Sequence, residues 1–554
     1  MNDSTPGFAP TRRGLLVTAT GAAAASWLGL LQGCSSSGSS GESTPGALPQ
    51  RLTAHEELII ALDQSTVSAP FDPIQGWGDT GVNPFHSTLT VADKDNQIVN
   101  DLATGYTISD DKLTWTFTIR DDVTFTNGAP LTAQDVAFTY NEAIRAAKVI
   151  IPNLKQAVAT DDHTVELHLS APSSVLLYTA AVLGIVPEAA YTSDYGDKPV
   201  GSGPWKFADY IQGQQLILER NDNYHGEKAK FAKVTILLMA SDAGLAAAKA
   251  GQVDLAFTYP NFSQQVPTGF TMVSLPTFDY RVISLPCQQP GAWEVDGKAV
   301  GNAVTSDREL RRAMALGVDR KQLVDQCLLG YGDVAFDAFD AFPWGVRAEE
   351  NSLTDGDVEQ ARQILDAAGW ATGADGMRAK GDLKASFTLH YPPTDPARQA
   401  LAEGFKKQMQ ALGIDVQLDA LDFSGIKENN RINSVVLGGG KFTPYSVHNQ
   451  LSSEGTREKG WLNIACCTNP TVEQNLTKAL ESTDTETANQ HWRDALWDGE
   501  TGGSILGDSP YIMCCYVRNN YFVRQGLDIG EQHLHPHDHF LHVIYNLNTW
   551  QVSS

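Results

Sequence analysis

Residues 113–120 read Leu-Thr-Trp-Thr-Phe-Thr-Ile-Arg. The alternation is strict. In an extended chain it puts Leu113, Trp115, Phe117 and Ile119 on one face and Thr114, Thr116, Thr118 and Arg120 on the other. A helix would scatter the same residues around its axis, so the run dictates a strand with one buried face. A one-faced strand needs a second layer to cover it. That layer follows directly. Asn127-Gly128 marks a turn, Thr132 is placed to cap a helix, Asp135 falls in its first turn, and Val136 and Tyr140 continue it.

The same grammar recurs down the chain. Ser306-Asp307-Arg308-Glu309 reads as a capping box with Ser306 at the cap, and Asp319 caps a helix through Leu323, Val324 and Leu328. A further helix ends at Ala368-Gly369-Trp370, and residues 400–412 form another, stopped by Gly413. Residues 414–418 alternate again as a strand. There is no internal repeat and no coiled coil. Helices and short strands alternating over this length predict an α/β protein of more than one domain.

The N-terminus predicts location. Arg12-Arg13 precedes an apolar stretch interrupted by Thr, Gly and Ser, which ends in Leu31-Gln32-Gly33-Cys34. This is the pattern of a twin-arginine export signal (residues 1–33) with a lipoprotein cleavage box, and Cys34 is the expected lipid acceptor. Residues 34–51 are rich in Ser, Gly and Pro and predict a flexible tether, with folding from about Leu52. The expectation is an extracytoplasmic, membrane-anchored monomer. A net charge of -25 argues against nucleic acid and against electrostatic adhesion to anionic lipid.

Five of the 13 histidines lie between His533 and His542, in Gln532-His533-Leu534-His535-Pro536-His537-Asp538-His539-Phe540-Leu541-His542. Neutral imidazole suits Ni, Cu and Zn. Pro536 favours an extended conformation at His535, in which His533, His535, His537 and His539 would share a face. Six cysteines follow Cys34: Cys287, Cys327, Cys466-Cys467 and Cys514-Cys515. A bridge between the two vicinal pairs, a soft-metal thiolate site, and buried free thiols at Cys514-Cys515 are the readings open to them.

Residues 106–141 closely resemble a signature of the peptide- and nickel-binding family of extracytoplasmic solute-binding proteins that feed ABC importers. The likeness rests on a Leu-x-Trp-Thr-Phe strand, Ile-Arg-Asp, Phe-x-Asn-Gly and Leu-Thr-Ala-x-Asp-Val. Further elements follow in family order: Gly201-Ser202-Gly203-Pro204-Trp205, Arg220-Asn221-Asp222-Asn223-Tyr224-His225-Gly226, Gly251-Gln252-Val253-Asp254, and Arg311-Arg312-Ala313-Met314 before Val318-Asp319-Arg320. The resemblance implies a two-lobed clamshell. Lobe one would span residues 52–279 with an extra subdomain at about 85–195, lobe two 280–509, and residues 510–554 would return to lobe one. Permease and ATPase partners are implied as well.

Phe71-Asp72-Pro73 and the C-terminal His-Pro-His-x-His run resemble a nickel-binding branch in which such histidines are metal ligands. That resemblance makes His535, His537 and His539 the expected ligands of Ni(II), free or held by a small chelator such as histidine. His533 is an added candidate. Some members place a ligand histidine ahead of the Phe-Asp-Pro motif. None stands there in this chain, so His86 and His448 are substitutes and Trp77 is a candidate for the cleft wall. A dipeptide or oligopeptide is the alternative cargo. A zinc hydrolase is a remote one, since no His-Glu-x-x-His helix or Gly-x-Ser-x-Gly elbow occurs. The chain is expected not to be an enzyme and to use no catalytic cofactor.

Overall fold

Strand Glu57–Leu62 seeds the first of two large sheets in the computed structural model, which describes residues 48–347, 353–457 and 460–553. It pairs in parallel with Lys233–Leu238 and Leu255–Thr258. Seven strands make up this sheet, in the order Phe270–Leu275, Asn519–Arg524, Leu255–Thr258, Glu57–Leu62, Lys233–Leu238, Gln215–Arg220 and Trp205–Ile211. Leu58, Ile60, Ala61 and Leu62 are all buried, as in strands covered on both faces.

The second sheet has six strands: Gly332–Asp333, Tyr511–Val517, Tyr280–Ser284, Ser434–Gly439, Ser386–Tyr391 and Asp415–Ala420. Tyr511–Val517 is buried at every position. Ile512 and Cys514 belong to one apolar cluster, Tyr511 and Met513 to another. This corrects two expectations. The strand belongs to the second lobe, so the chain re-enters the first at Asn519 and not at residue 510. Cys514 and Cys515 are core thiols within it, and Cys467 meets Cys287 instead of bridging to them.

The chain crosses between the sheets twice, from Leu275 to Tyr280 and from Val517 to Asn519. The crossings bond to each other. Thr277 Oγ1 donates to Val517 O at 2.5 Å, and the Val517 N–H donates to Asp279 O at 3.0 Å. Two lobes on a double crossing form a clamshell.

A smaller antiparallel sheet, ordered Ala103–Ile108, Thr114–Ile119, Thr164–Leu169 and Leu154–Asp161, carries helix Ala133–Ala146 on one face. Phe117 and Ile119 point into that interface and Thr118 to solvent, as the period-two run requires. The Thr132 N–H donates to the Asp135 carboxylate at 2.9 Å and closes the helix start.

Two local expectations shift. Helix Arg308–Gly317 is capped by Asp307 and not Ser306. Asp307 Oδ1 accepts from the Glu309 and Leu310 N–H groups at 3.0 and 3.2 Å, while Ser306 Oγ donates backwards to Ala303 O at 3.0 Å. The unit that carries both sheets includes residues from Leu48 on, ahead of the expected tether end at residue 51. Arg51, in the short helix Gln50–Thr53, reaches the buried carboxylate of Asp254 at 2.5 Å. Asp254 also takes Arg524 at 2.9 Å and the Ile59 N–H at 2.9 Å, and so ties both ends of the lobe-one chain together. The signal (residues 1–33), Cys34 and the rest of the tether lie outside the described residues.

Candidate ligand site between the lobes

Beyond Asn519–Arg524 the chain makes a short strand, Leu527–Asp528, which pairs with Gln551–Val552. All five clustered histidines lie in the segment between. Asn546 pins it, donating from Nδ2 to Ile529 O and Glu531 O, each at 3.1 Å. The other side is sewn to the first lobe crossing. The His535 N–H donates to Pro276 O at 3.3 Å and the Phe278 N–H to His535 O at 2.9 Å, a parallel bridge between Thr277 and His535.

His539 and Phe540 then adopt left-handed φ values of 53° and 74°, which reverse the chain. The reversal ends the alternation. His535, His537 and His539 do not converge, and the histidines divide into two groups.

His535 is fully buried and its hydrogen bonding is complete. The Gln532 amide NH2 donates to Ile529 O at 2.9 Å, which leaves its oxygen to accept from His535 Nε2 at 3.0 Å. Asn519 Nδ2 donates to the other ring nitrogen at 3.3 Å. His537 Nδ1 meets Asp279 Oδ1 at 2.9 Å. Burial would raise the Asp279 carboxyl, but Arg281 and His537 hold it well below the usual range. His539 borders a small cavity of ≈40 Å³ with Tyr259, Arg281, Asp395 and Arg398.

By ring contact His537 and His539, 4.8 Å apart, form one group, and His533 and His542, with His535 beside them at 5.2 Å from His542, form the other. His533 Nδ1 lies 3.1 Å from Asp93 O, a carbonyl that only accepts, so the ring is the Nδ1–H tautomer and Nε2 carries a lone pair. That lone pair faces His542 Nε2 at 2.5 Å. Asp538 Oδ2 stands 3.1 Å from His542 Nδ1, and the His533 ring lies on Tyr545 with centroids 3.8 Å apart. Burial pushes both imidazoles down to about 3 and raises the Asp538 carboxyl well above its usual range. A separation of 2.5 Å is shorter than an ordinary neutral nitrogen–nitrogen hydrogen bond. The gap admits one hydrogen; two imidazoles bound to one metal ion through bonds of about 2.0–2.1 Å stand further apart, so the rings must part to share an ion. Burial makes the protonated ring costly. A carbonyl behind Nδ1, as Asp93 O stands behind His533, is the arrangement that orients a metal-binding imidazole; Asp538 and His542 Nδ1 make no hydrogen bond to each other.

Both rings line a cavity of ≈340 Å³ between the lobes, with Tyr178 from beside the small sheet and Phe442, Tyr445 and Lys441 from lobe two. Lys441 pairs with Asp79 across the opening. The volume lies at the small end of the roughly 300–1,000 Å³ typical of ligand sites. Among the described residues no set of three or more His, Cys, Asp or Glu side chains is arranged to hold a metal ion.

The remaining candidates sit elsewhere. His86 is a buried structural histidine. Nδ1 meets Asn83 Oδ1 at 3.0 Å and Nε2 meets the Tyr195 hydroxyl at 2.8 Å. A Cβ at Gly201 would fall 2.0 Å from Phe85 O and 2.8 Å from the His86 ring, which explains the glycine of that motif. His448 stacks on Tyr445 at 4.6 Å, behind the cavity wall. Trp77 packs edge-on against Phe71 at 4.8 Å in the lobe-one core and does not line the cavity. Sequence reasoning missed Tyr178 and Tyr545, since no spacing joins them.

Two lobes closing on a cavity at a double crossing define a solute-binding protein. The family description "Bacterial extracellular solute-binding proteins, family 5 Middle" matches residues 97–456, and the chain belongs to that family. It is therefore the substrate-binding component of an ABC importer, an extracytoplasmic protein that works with permease and ATPase components, and its relatives bind solutes and are not enzymes. Protein XP55 of Streptomyces lividans is 28% identical over 499 residues, covering 86% of each chain. The structure of NikZ from Campylobacter jejuni in complex with Ni(L-His) superposes with a TM-score of 0.76 at 20% identity, over 91% of this chain and 100% of that one. AppA from Bacillus subtilis in complex with a nonapeptide superposes at 0.68 and 22% identity, over 90% and 99%.

Proposed function

We propose that the protein captures Ni(II) held by a small amine-carboxylate chelator such as histidine and delivers it to its permease. The observation that carries this reading is the pair of His533 and His542 Nε2 atoms that face each other at the cavity wall and would take one ion on moving apart from their 2.5 Å contact. Two imidazoles fill only part of a nickel coordination shell. A chelator in the ≈340 Å³ cavity would supply the rest. His535, His537 and His539 then have other duties: His535 holds the loop, His537 pairs with Asp279, and His539 borders the second cavity. Export by the Arg12-Arg13 signal, anchoring through Cys34 and action as a monomer complete the proposal.

Calorimetric titration of the mature domain tests it. Ni(II) with L-histidine should bind at one site, Ni(II) alone far more weakly. His533→Ala and His542→Ala should each lose about tenfold or more in affinity, on the scale of one lost metal contact. Metal binding unchanged by both substitutions overturns the assignment of these ligands. Tight binding of a metal-free dipeptide, the cargo class that AppA represents, overturns the metal reading.

A further inference from the structure

Two thiols away from the cavity stand against each other. Cys287 follows strand Tyr280–Ser284, and Cys467 precedes helix Pro470–Glu481. Each thiol lies close enough to shift the other's acidity, and Cys287 Sγ also reaches Leu285 O at 3.5 Å. The flanking backbone is already joined: the Cys287 N–H donates to Ala465 O at 2.7 Å, and Gln288 Nε2 donates to Cys466 O at 2.9 Å. Main chains held this way let two sulfurs bond with little movement. Both residues are half-buried, whereas Cys466, Cys514 and Cys515 are buried.

The other described thiols differ. Cys466 Sγ turns to Thr456 O at 3.8 Å and Cys514 Sγ to Ile512 O at 3.9 Å. Cys515 is fully buried beside Cys514. Cys327 packs under Gly404, where an added Cβ would meet its sulfur at 2.7 Å. Only the Cys287–Cys467 contact sets sulfur against sulfur. The buried Arg311 guanidinium lies near this pair and favours a thiolate there.

We propose that Cys287 and Cys467 are joined by a disulfide in the mature, exported protein. The family is extracytoplasmic, and disulfides form and persist in such compartments. The Cys287 thiolate attacks one sulfur of a disulfide-bearing extracytoplasmic oxidoreductase, and the other sulfur of that disulfide leaves as a thiolate. The Cys467 thiolate then displaces the oxidoreductase. The two protein thiols lose two protons and two electrons, and the oxidant's disulfide becomes two thiols. The new bond ties a strand end to a distant loop within lobe two. It acts mainly by restricting the unfolded chain and leaves the cavity residues untouched.

The test is peptide mapping of the full-length protein recovered from the extracytoplasmic fraction. It is alkylated under denaturing conditions without reductant, then digested. The expected product is a cross-linked pair of peptides containing Cys287 and Cys467, lighter by two hydrogens than the reduced pair. Reductant should lower Tm by about 5 °C or more, and Cys287→Ser should show that lower Tm with or without reductant. Alkylation of both cysteines without reductant overturns the proposal, and so does a link from Cys287 to Cys466. The map uses the native sequence, so it decides the matter even if Cys287→Ser fails to accumulate.

Discussion

His533 and His542 meet Nε2 to Nε2 at 2.5 Å, with Asp93 O behind one ring and Asp538 behind the other. His535 lies close by, its ring centroid 5.2 Å from that of His542, yet both its nitrogens are already engaged. The two kinds of histidine should separate in experiment. His535→Ala strands Asn519 and Gln532 in a buried setting, which costs about 1–3 kcal/mol. Urea denaturation should show that loss, while affinity for a nickel–histidine complex should stay within about threefold of the parent. A loss as large as that of His533→Ala would make His535 a ligand after all.

Asp254 is fully buried and holds Arg51, Arg524 and the Ile59 N–H. Asp254→Ala leaves two guanidinium groups without their anion, and breaking such an arrangement costs about 3–5 kcal/mol. The midpoint of chemical unfolding should fall accordingly. A stability unchanged within error would mean that solvent takes over both arginines.

Asp337 gives a pH signature. Burial and then the nearby Asp340 push its carboxyl up to about 8. In the unfolded chain an Asp titrates near ~3.9. Between these values the folded state binds one proton more than the unfolded state, so stability falls as pH rises, by at most about 1.4 kcal/mol per unit. The full contribution is present below ~4 and has been lost once pH passes the folded value. Asp337→Asn should flatten this part of the curve when unfolding midpoints are compared from acid to alkaline pH. An identical slope in both proteins would place the pH dependence elsewhere.

Gly203 sits where a Cβ would come 2.6 Å from the backbone of Phe85 and Pro84. The Gly203 N–H also donates to Phe85 O at 2.9 Å. Gly203→Ala must therefore move main chain, and overpacking of this kind costs about 1–3 kcal/mol. A lower Tm with unchanged far-ultraviolet dichroism is the expected result. A Tm equal to the parent's would mean that the Phe85 segment yields freely.

The fold was legible because its signals are local. The alternation at 113–120 became strand Thr114–Ile119, and Gly369 and Gly413 end their helices at φ values of 84° and 77°. The same local reading erred by one residue at Ser306, where the neighbouring Asp307 offers the better acceptor. The candidate site was legible as a segment and illegible as a geometry. His533 and His542 meet only because His539 and Phe540 turn left-handed and the backbone of His535 pairs with the crossing strand. Long-range packing makes those choices, and no spacing rule contains them. The contact of Cys287 with Cys467 is distant in sequence for the same reason.

The bridge between Thr277 and His535 makes the cargo loop and the pivot a single piece of structure. A residue inserted into or removed from residues 529–540 would slip that register and disturb the pivot as well as the cavity. Side chains facing the cavity carry no such coupling. New cargo in this scaffold is therefore reached by exchanging side chains at constant loop length, and loop grafting would unsettle the opening and closing that importers depend on.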